Sequence, residues 1–202
     1  MGELPRTVTP LAANVATALM VTALRDREAK PEPVAQHLLS LVWIETGRGR
    51  SCIQNNLGNL AGSYQGNFWR PAWYRVDESS SPRLRALHER MLAGKAPSQF
   101  RAYPSRGEGL DDFVALLYQP RYRPMLQAAR ASDTEAFANA VYETGYCPDE
   151  GCRGANTISS YRSLTDSFAP LLGLPKRFGN GGGKWSGLVA LLVIWALGKG
   201  RL

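Results

Sequence analysis

The feature that most constrains this chain is an apolar run at residues 33–46 that carries a carboxylate close to its end. Val34, Leu38 and Leu41 recur at helical spacing, and Glu45 follows at the next turn of the same stripe. Residues spaced three or four apart share one face of a helix. The pattern therefore predicts a helix that buries its leucines and directs Glu45 toward the same packed side, not toward open water.

Similar spacing predicts further helices along the chain. They run over about residues 9–27, 81–94 and 157–172, and three more begin near Ser105, Arg121 and Ser132. Ser105 with Glu108, and Ser132 with Glu135, have the spacing of capping boxes, in which the serine hydroxyl closes the first turn of a helix.

A long segment between the second and third predicted helices lacks helical spacing. Residues 48–81 are irregular and rich in Gly, Asn, Trp and Tyr, and the segment SQFRAYPS (98–105) has the character of an extended strand. The sequence therefore predicts a mainly α domain at residues 1–174 that contains a small irregular or β lobe.

The charge balance narrows the choice of partner. The chain has 202 residues, 44% of them hydrophobic and 20% charged, with a net charge of +7 and a pI of about 9.6. A basic protein favours a polyanion such as nucleic acid, anionic lipid or bacterial cell wall. The arginines are scattered and form no dense run, so we do not expect a nucleic-acid partner.

The cysteines and histidines give little support to a metal site. Cys147 and Cys152 enclose only four residues and could close a small disulfide in an oxidising compartment, which would leave Cys52 unpaired. His37 and His88 both lie within apolar helical patterns, where a packed histidine is the ordinary outcome. We expect neither a metal nor another cofactor.

The C-terminal segment differs from the rest of the chain. Residues 175–184 have the composition of a glycine-rich linker, and the uncharged run 185–198 lies between Lys184 and Lys199. As a helix these fourteen residues would span about 21 Å, less than the roughly 30 Å hydrocarbon core of a membrane. Because the run is apolar all round and lysines flank it, we expect membrane association rather than a docked core helix. The N-terminus does not have the pattern of a secretory signal peptide.

Two common motifs are approached but not formed. In GNGGGKW, Phe178 replaces the first glycine of a phosphate-binding loop, and Trp185 stands where the loop needs a hydroxyl. In GSYQG the serine directly follows the first glycine, so the segment is not a G-x-S-x-G nucleophile elbow. The sequence supports neither a phosphate loop nor a serine hydrolase.

The chemistry of the chain centres on Glu45. Burial against apolar side chains raises the pKa of a carboxyl group, which suits a general acid that works near neutral pH. Glycoside hydrolysis uses such an acid to protonate the leaving oxygen. The segment after Glu45 offers the polar and aromatic side chains that a sugar-binding cleft needs: Asn55, Asn56, Asn59, Tyr64, Trp69, Trp73 and Tyr74.

Three short motifs, in order, resemble the bacterial and phage N-acetylglucosaminidases of the flagellar-muramidase and autolysin type. ETGRGRS (45–51) is similar to that family's E-S-G-x-G-x-S signature, and NNLGNL (55–60) is similar to its N-N-x-x-G-N/I turn. FRAYPS (100–105) resembles a second signature that leads into an acidic helix start. TGYCPD (144–149) resembles the G-Y-x-T-D loop, with proline where the family prefers threonine. The motifs cover about residues 34–168.

The resemblance implies a lysozyme-like helical fold that cuts the glycan strands of peptidoglycan. It makes Glu45 the general acid and places Tyr146 in the catalytic subsite. The family's second carboxylate has no clear counterpart here; Glu78 is the candidate, with Asp77 beside it and Glu89 less suitable within a helix. The residues expected to bind substrate are Asn56, Asn59, Tyr64, Tyr103 and Tyr161, and Tyr103 is equally suited to packing.

Several alternatives stay open at this level. If no second carboxylate approaches Glu45, the substrate's 2-acetamido group could act as nucleophile, or a lytic transglycosylase could release an anhydro sugar. A virion or membrane protein could also keep such a domain only to grip glycan, and a basic helical domain could bind nucleic acid. The favoured expectation is a phage-encoded peptidoglycan hydrolase that acts in the host cell envelope or from the virion, beside other virion proteins.

Overall fold

The computed structural model describes residues 2–147 and 152–177, and this part of the chain is mainly helical with one small sheet. The α-helices are α1 (Ala13–Leu24), α2 (Pro31–Glu45), α3 (Pro82–Leu92), α4 (Arg106–Leu117), α5 (Arg123–Arg130), α6 (Thr134–Glu143) and α7 (Ala155–Phe168). The strands are β1 (Phe68–Trp69) and β2 (Phe100–Arg101), and short 3-10 turns cover Ala72–Tyr74, Pro120–Tyr122 and Ala169–Leu172.

Helix α2 lies at the centre of the helical part. Nine of its fifteen residues are buried, among them Val34, Leu38 and Leu41, as the apolar stripe predicts. The helix packs against α1, α5 and α7. Gln36 reaches across to α7, where its Nε2 donates to the Thr165 carbonyl at 2.8 Å. The buried part of α2 ends at Val42, and the last three residues, 43–45, are partly buried.

The main core is one hydrophobic cluster formed by α1, α2 and α4–α7, together with residues 52, 57 and 60 from the segment after α2. His37 is part of this packing: it is 1% exposed and its ring lies edge-on to Phe137. Its ring nitrogens pair with the Pro33 carbonyl and the Thr134 hydroxyl. His37 is therefore a packed histidine with both nitrogens occupied.

The small lobe (residues 61–102) is built on a second, separate cluster. Strands β1 and β2 pair antiparallel, with Trp69 opposite Phe100, and these two rings stack with centroids 4.9 Å apart. Trp73 packs edge-on to Phe100. The partly buried face of α3 closes the cluster with Leu84, Leu87 and Met91. The prediction of a small irregular or β lobe is confirmed.

Residues 2–11 form an arm, called here the N-terminal arm, which runs along the rest of the molecule in extended form. Leu4 N–H donates to Phe68 O at 2.8 Å, and Leu11 N–H donates to Gly49 O at 2.7 Å. The prediction that the first helix starts at Thr9 is wrong. Thr9 N–H is used in a hydrogen bond to Cys52 O, and the helix begins only at Ala13.

One of the two predicted helix caps is confirmed and the other is wrong. Ser105 accepts from Glu108 N–H and caps α4. At the start of α6 the cap is Asp133, which accepts from Ala136 N–H at 2.9 Å, and not Ser132. Ser132 has φ +53° and ends α5, with its own N–H bonded to Ala129 O, so the preceding helix has already used it.

Most of the predicted C-terminal linker and helix falls outside the described residues. Arg177, near the start of the predicted linker, donates its N–H to Asp166 at 2.9 Å. The rest of that linker and the predicted hydrophobic helix at 185–198 lie outside the described residues. Within the described part, every helix is too short or too polar to cross a membrane. Cys147 and Cys152 are joined by a disulfide, and Cys52 is buried and free.

Candidate active site

Glu45 is the last residue of α2, directly before the irregular segment that follows this helix. It lies one turn after Leu41, which is 1% exposed, so the leucine stripe leads directly to the carboxylate. Glu45 itself keeps partial exposure. The residue thus lies at the boundary of the packed interior, with its carboxyl group enclosed by protein.

The turn after Glu45 explains the glycines of the first motif. Thr46 is buried, and its hydroxyl donates to Val42 O and accepts from Gly49 N–H at 3.0 Å. Gly47, Arg48 and Gly49 all have positive φ. A Cβ at Gly49 would lie 2.1 Å from the Leu11 carbonyl oxygen of the N-terminal arm, so only glycine fits there. The motif therefore builds a tight reversal that ends α2 at Glu45.

Asn59 holds Glu45 from the facing turn. Its side-chain Nδ2 donates to the Glu45 backbone carbonyl at 2.8 Å and to the Glu45 Oε2 at 2.9 Å. Asn59 has φ +48°, a left-handed conformation that asparagine tolerates better than most residues. The predicted site residues Glu45 and Asn59 are therefore brought into direct contact.

The surroundings keep the Glu45 carboxyl protonated over an unusual pH range. Burial is the main cause and raises its pKa to about 7, while the hydrogen bond from Asn59 opposes this shift in part. The position at the C-terminal end of α2, where the helix dipole is negative, also disfavours a negative charge. A carboxyl with this pKa is a competent proton donor near neutral pH.

Tyr146 and Tyr161 form the tyrosine side of the site. Burial, followed by the charge of Glu45, raises the pKa of both hydroxyls well above the ordinary value, which places both tyrosines in the electrostatic neighbourhood of the acid. Tyr146 donates its hydroxyl to the Gly58 carbonyl at 2.6 Å. Tyr161 is 2% exposed and packs edge-on to Phe137. Both hydroxyls stay protonated, so neither competes with Glu45 as a base.

Tyr64 and Tyr103 form a second group around the start of α4. Their ring centroids are 4.6 Å apart. Tyr103 is 2% exposed and donates its hydroxyl to Asp112 at 2.6 Å, and Arg101 forms an ion pair with the same carboxylate. Tyr64 is partly exposed and its hydroxyl lies 3.4 Å from Glu108. Tyr103 is thus a packed residue, whereas Tyr64 keeps partial exposure, and its predicted contact with substrate stays a prediction.

Asn56 has its hydrogen-bonding capacity filled by backbone. It is 1% exposed, donates to the carbonyls of Leu60 and Arg101, and accepts from Leu60 N–H. Its predicted contact with substrate stays a prediction. In the structure its side chain stabilises the turn that carries Asn59.

The candidate second carboxylates lie on the small lobe. Asp77, Glu78 and Glu89 are all exposed. Asp77 is occupied by the hydroxyls of Ser79 and Ser80. Within the described residues, none of the three carboxylates is hydrogen-bonded to Glu45. The catalytic role of Glu78 stays a prediction without a structural contact to support it.

Two residues of the site were not singled out by sequence reasoning. Thr46 organises the reversal after α2, and Gly58 lies against Phe113, where an added Cβ would come within 2.4 Å of a ring carbon and 2.9 Å of the Tyr146 hydroxyl. The signal available for Gly58 was its place between the asparagines of NNLGNL. The described residues contain no group of three or more His, Cys, Asp or Glu side chains that could hold a metal ion.

The chain was compared with protein-family models, with curated proteins and with solved structures. None of the three comparisons found a match.

Proposed function

We propose that the chain is a peptidoglycan glycan-strand cleaving enzyme with Glu45 as its general acid. The observation that carries this proposal is the Glu45 carboxyl, held by Asn59 at the end of a buried helix, with a pKa raised by burial to about 7. At neutral pH a substantial fraction of such a group carries its proton. Protonation of the glycosidic oxygen is the step that glycan cleavage requires of an acid.

The position of the acid supports the same conclusion. Glu45 ends a helix of the main core, and the neighbouring Tyr146 and Tyr161 belong to the same cluster, whereas Tyr64 comes from the small lobe. A helical body with a small β-containing lobe and an acid at the end of a core helix fits the lysozyme-like fold that the motif resemblance implies. Tyr64, with its accessible ring, is a suitable stacking surface for a sugar.

The structure favours chemistries that need one protein carboxylate. A second carboxylate in a two-acid glycosidase lies about 5–10 Å from the first. Among the described residues, the candidates Asp77, Glu78 and Glu89 are all exposed, and none is hydrogen-bonded to Glu45. Lytic transglycosylation, in which a hydroxyl of the cleaved sugar closes an anhydro ring, is therefore the second candidate, along with hydrolysis assisted by the substrate's acetamido group.

The biological setting follows from the rest of the chain. A net charge of +7 favours approach to the anionic cell wall. The apolar run at 185–198 would place the enzyme at the inner membrane of a host cell, or in a virion beside other phage proteins, with no nucleic-acid partner. A phage origin rests on this combination and on the motif resemblance.

The test is digestion of purified peptidoglycan by the full-length chain, its Glu45→Gln variant and a matched Glu78→Gln variant, with products analysed by mass spectrometry. We expect Glu45→Gln to lose about 10²–10⁴-fold in rate and Glu78→Gln to retain most activity. Reducing ends would indicate hydrolysis and identify the bond, whereas anhydro ends would indicate transglycosylation.

The same experiment can reject the proposal. If the folded parent binds the wall but releases no sugar, the domain is a glycan-gripping structural protein. If it binds DNA with a strong dependence on salt and ignores the wall, the nucleic-acid alternative holds.

A further inference from the structure

We propose that Asn59 is a positioning residue that fixes the Glu45 carboxyl and dictates which of its two oxygens carries the catalytic proton. This inference rests on the proposed function and deepens it. It assigns to Asn59 a role toward the acid in place of the direct contact with substrate that the sequence suggested.

The geometry restrains Glu45 at two points. The amide nitrogen of Asn59 donates to the main-chain oxygen of Glu45 at 2.8 Å and to its Oε2 at 2.9 Å. One rigid amide therefore links the backbone and the tip of the same side chain, which holds the glutamate in a single rotamer. A flipped amide would set its oxygen against two acceptors, so the orientation is fixed by chemistry.

The same contact distinguishes the two carboxyl oxygens. In a protonated carboxyl, the carbonyl oxygen accepts hydrogen bonds and the hydroxyl oxygen donates. Oε2 already accepts from Asn59. The proton therefore resides on Oε1, the oxygen that remains for the glycosidic bond.

Asn59 is itself held on both sides. The Gly58 carbonyl accepts the Tyr146 hydroxyl at 2.6 Å. On the other side Asn56 is bonded to both the N–H and the carbonyl of Leu60. These hydrogen bonds hold the turn at 56–60 and therefore fix the position of the Asn59 amide. Tyr146 thus helps to position Glu45 indirectly, through Gly58 and Asn59.

The contact also sets the strength of the acid. Burial raises the pKa of Glu45, and the Asn59 N–H lowers it by stabilising the ionised form. Without the amide the carboxyl would be a weaker acid and freer to change rotamer. Both effects slow proton transfer, since the acid must match the working pH and lie within hydrogen-bond reach.

The test compares Asn59→Gly with Asn55→Gly. Both asparagines have positive φ, at +48° and +57°, so glycine fits each backbone without strain. Asn55 directly precedes the turn at 56–60 and donates its amide to the Tyr103 carbonyl and not to the acid. The pair therefore separates loss of the contact with Glu45 from a general effect on the turn.

Two readouts are made on the full-length chain: titration of the Glu45 carboxyl by carbon-13 NMR, assigned with Glu45→Gln, and the pH profile of peptidoglycan digestion. In Asn59→Gly we expect the midpoint to rise by about half to one pH unit and the rate to fall by about 10–100-fold. In Asn55→Gly we expect the midpoint of the parent.

An unchanged Glu45 titration in Asn59→Gly, or an equal shift in Asn55→Gly, would overturn the inference. The NMR titration does not depend on activity. A parent that fails to cut glycan would therefore reject the proposed function while the titration still reports on the contact between Asn59 and Glu45.

Discussion

The main core and the small lobe are stabilised in different ways. In α2 nine of fifteen residues are buried, whereas α3 has none that is fully buried. The lobe depends on stacked aromatic rings, a two-residue strand pair and hydrogen bonds from the N-terminal arm. Its buried Trp69 Nε1 has no hydrogen-bond partner among the described residues, a cost that the main core does not share.

The residues of the candidate site come from both the main core and the small lobe. Glu45 ends a core helix, and Leu57 and Leu60 anchor the turn of Asn59 in the same cluster. Tyr64, by contrast, belongs to the small lobe. Under the proposed function, the acid would therefore be carried by the well-packed region, and the ring proposed to bind substrate by the region with fewer buried side chains, which is expected to open more easily.

The largest effect on stability is expected from a leucine-to-alanine substitution, made once in the main core and once in the small lobe. Leu39→Ala removes a side chain that is fully buried in the main core and should lower the free energy of unfolding by about 2–5 kcal/mol. Leu87→Ala removes a partly buried side chain of the lobe and should cost about 1 kcal/mol. Urea denaturation of the two variants measures the difference, and equal losses would show that the lobe is as tightly packed as the core.

The second prediction concerns how the Glu45 carboxyl makes the stability of the fold depend on pH. The folded pKa of Glu45 is about 7, above the ordinary 4.5, so between these values the native state binds more protons than the unfolded state. The contribution of Glu45 to the free energy of unfolding should therefore be most favourable below pH 4.5. It should fall by about 2–3 kcal/mol as the pH rises to 7. The difference between parent and Glu45→Gln, followed by thermal unfolding, isolates this contribution. A flat difference across that range would mean that the carboxyl is solvated.

The smallest expected effect tests a helix start within the main core. Asp133→Ala removes the cap of α6 and should cost about 1 kcal/mol. Ser132→Gly relieves a residue with φ +53° and should be neutral or slightly stabilising. Denaturation midpoints distinguish the two, and a larger loss at position 132 would restore the serine as the cap.

The sequence predicted well what depends on local periodicity. The leucine stripe predicted the buried face of α2, and the helix predicted over residues 81–94 is observed as α3. What it could not predict are contacts between distant segments. The pairing of Leu4 with Phe68 leaves no periodic trace in either segment, so the N-terminal arm was assigned in part to a helix.

The asparagines of NNLGNL illustrate the same limit at the site. Asn56 and Asn59 were both assigned to substrate, because an amide suits a sugar hydroxyl. The two residues are only three positions apart. Asn56 nevertheless bonds to the backbone of its own turn, whereas Asn59 bonds to the Glu45 carboxyl. Only the folded turn determines which acceptor each amide meets.

The residues around Glu45 are far apart in the sequence, and this affects how the protein folds during translation. The N-terminal arm needs Phe68 before it can pair, and the surroundings of Glu45 need Tyr146 and Tyr161, which are made long after α2. A growing polypeptide therefore carries Glu45 as an ordinary, hydrated glutamate until α7 docks. The raised pKa of Glu45 is thus among the last properties that the folding chain acquires.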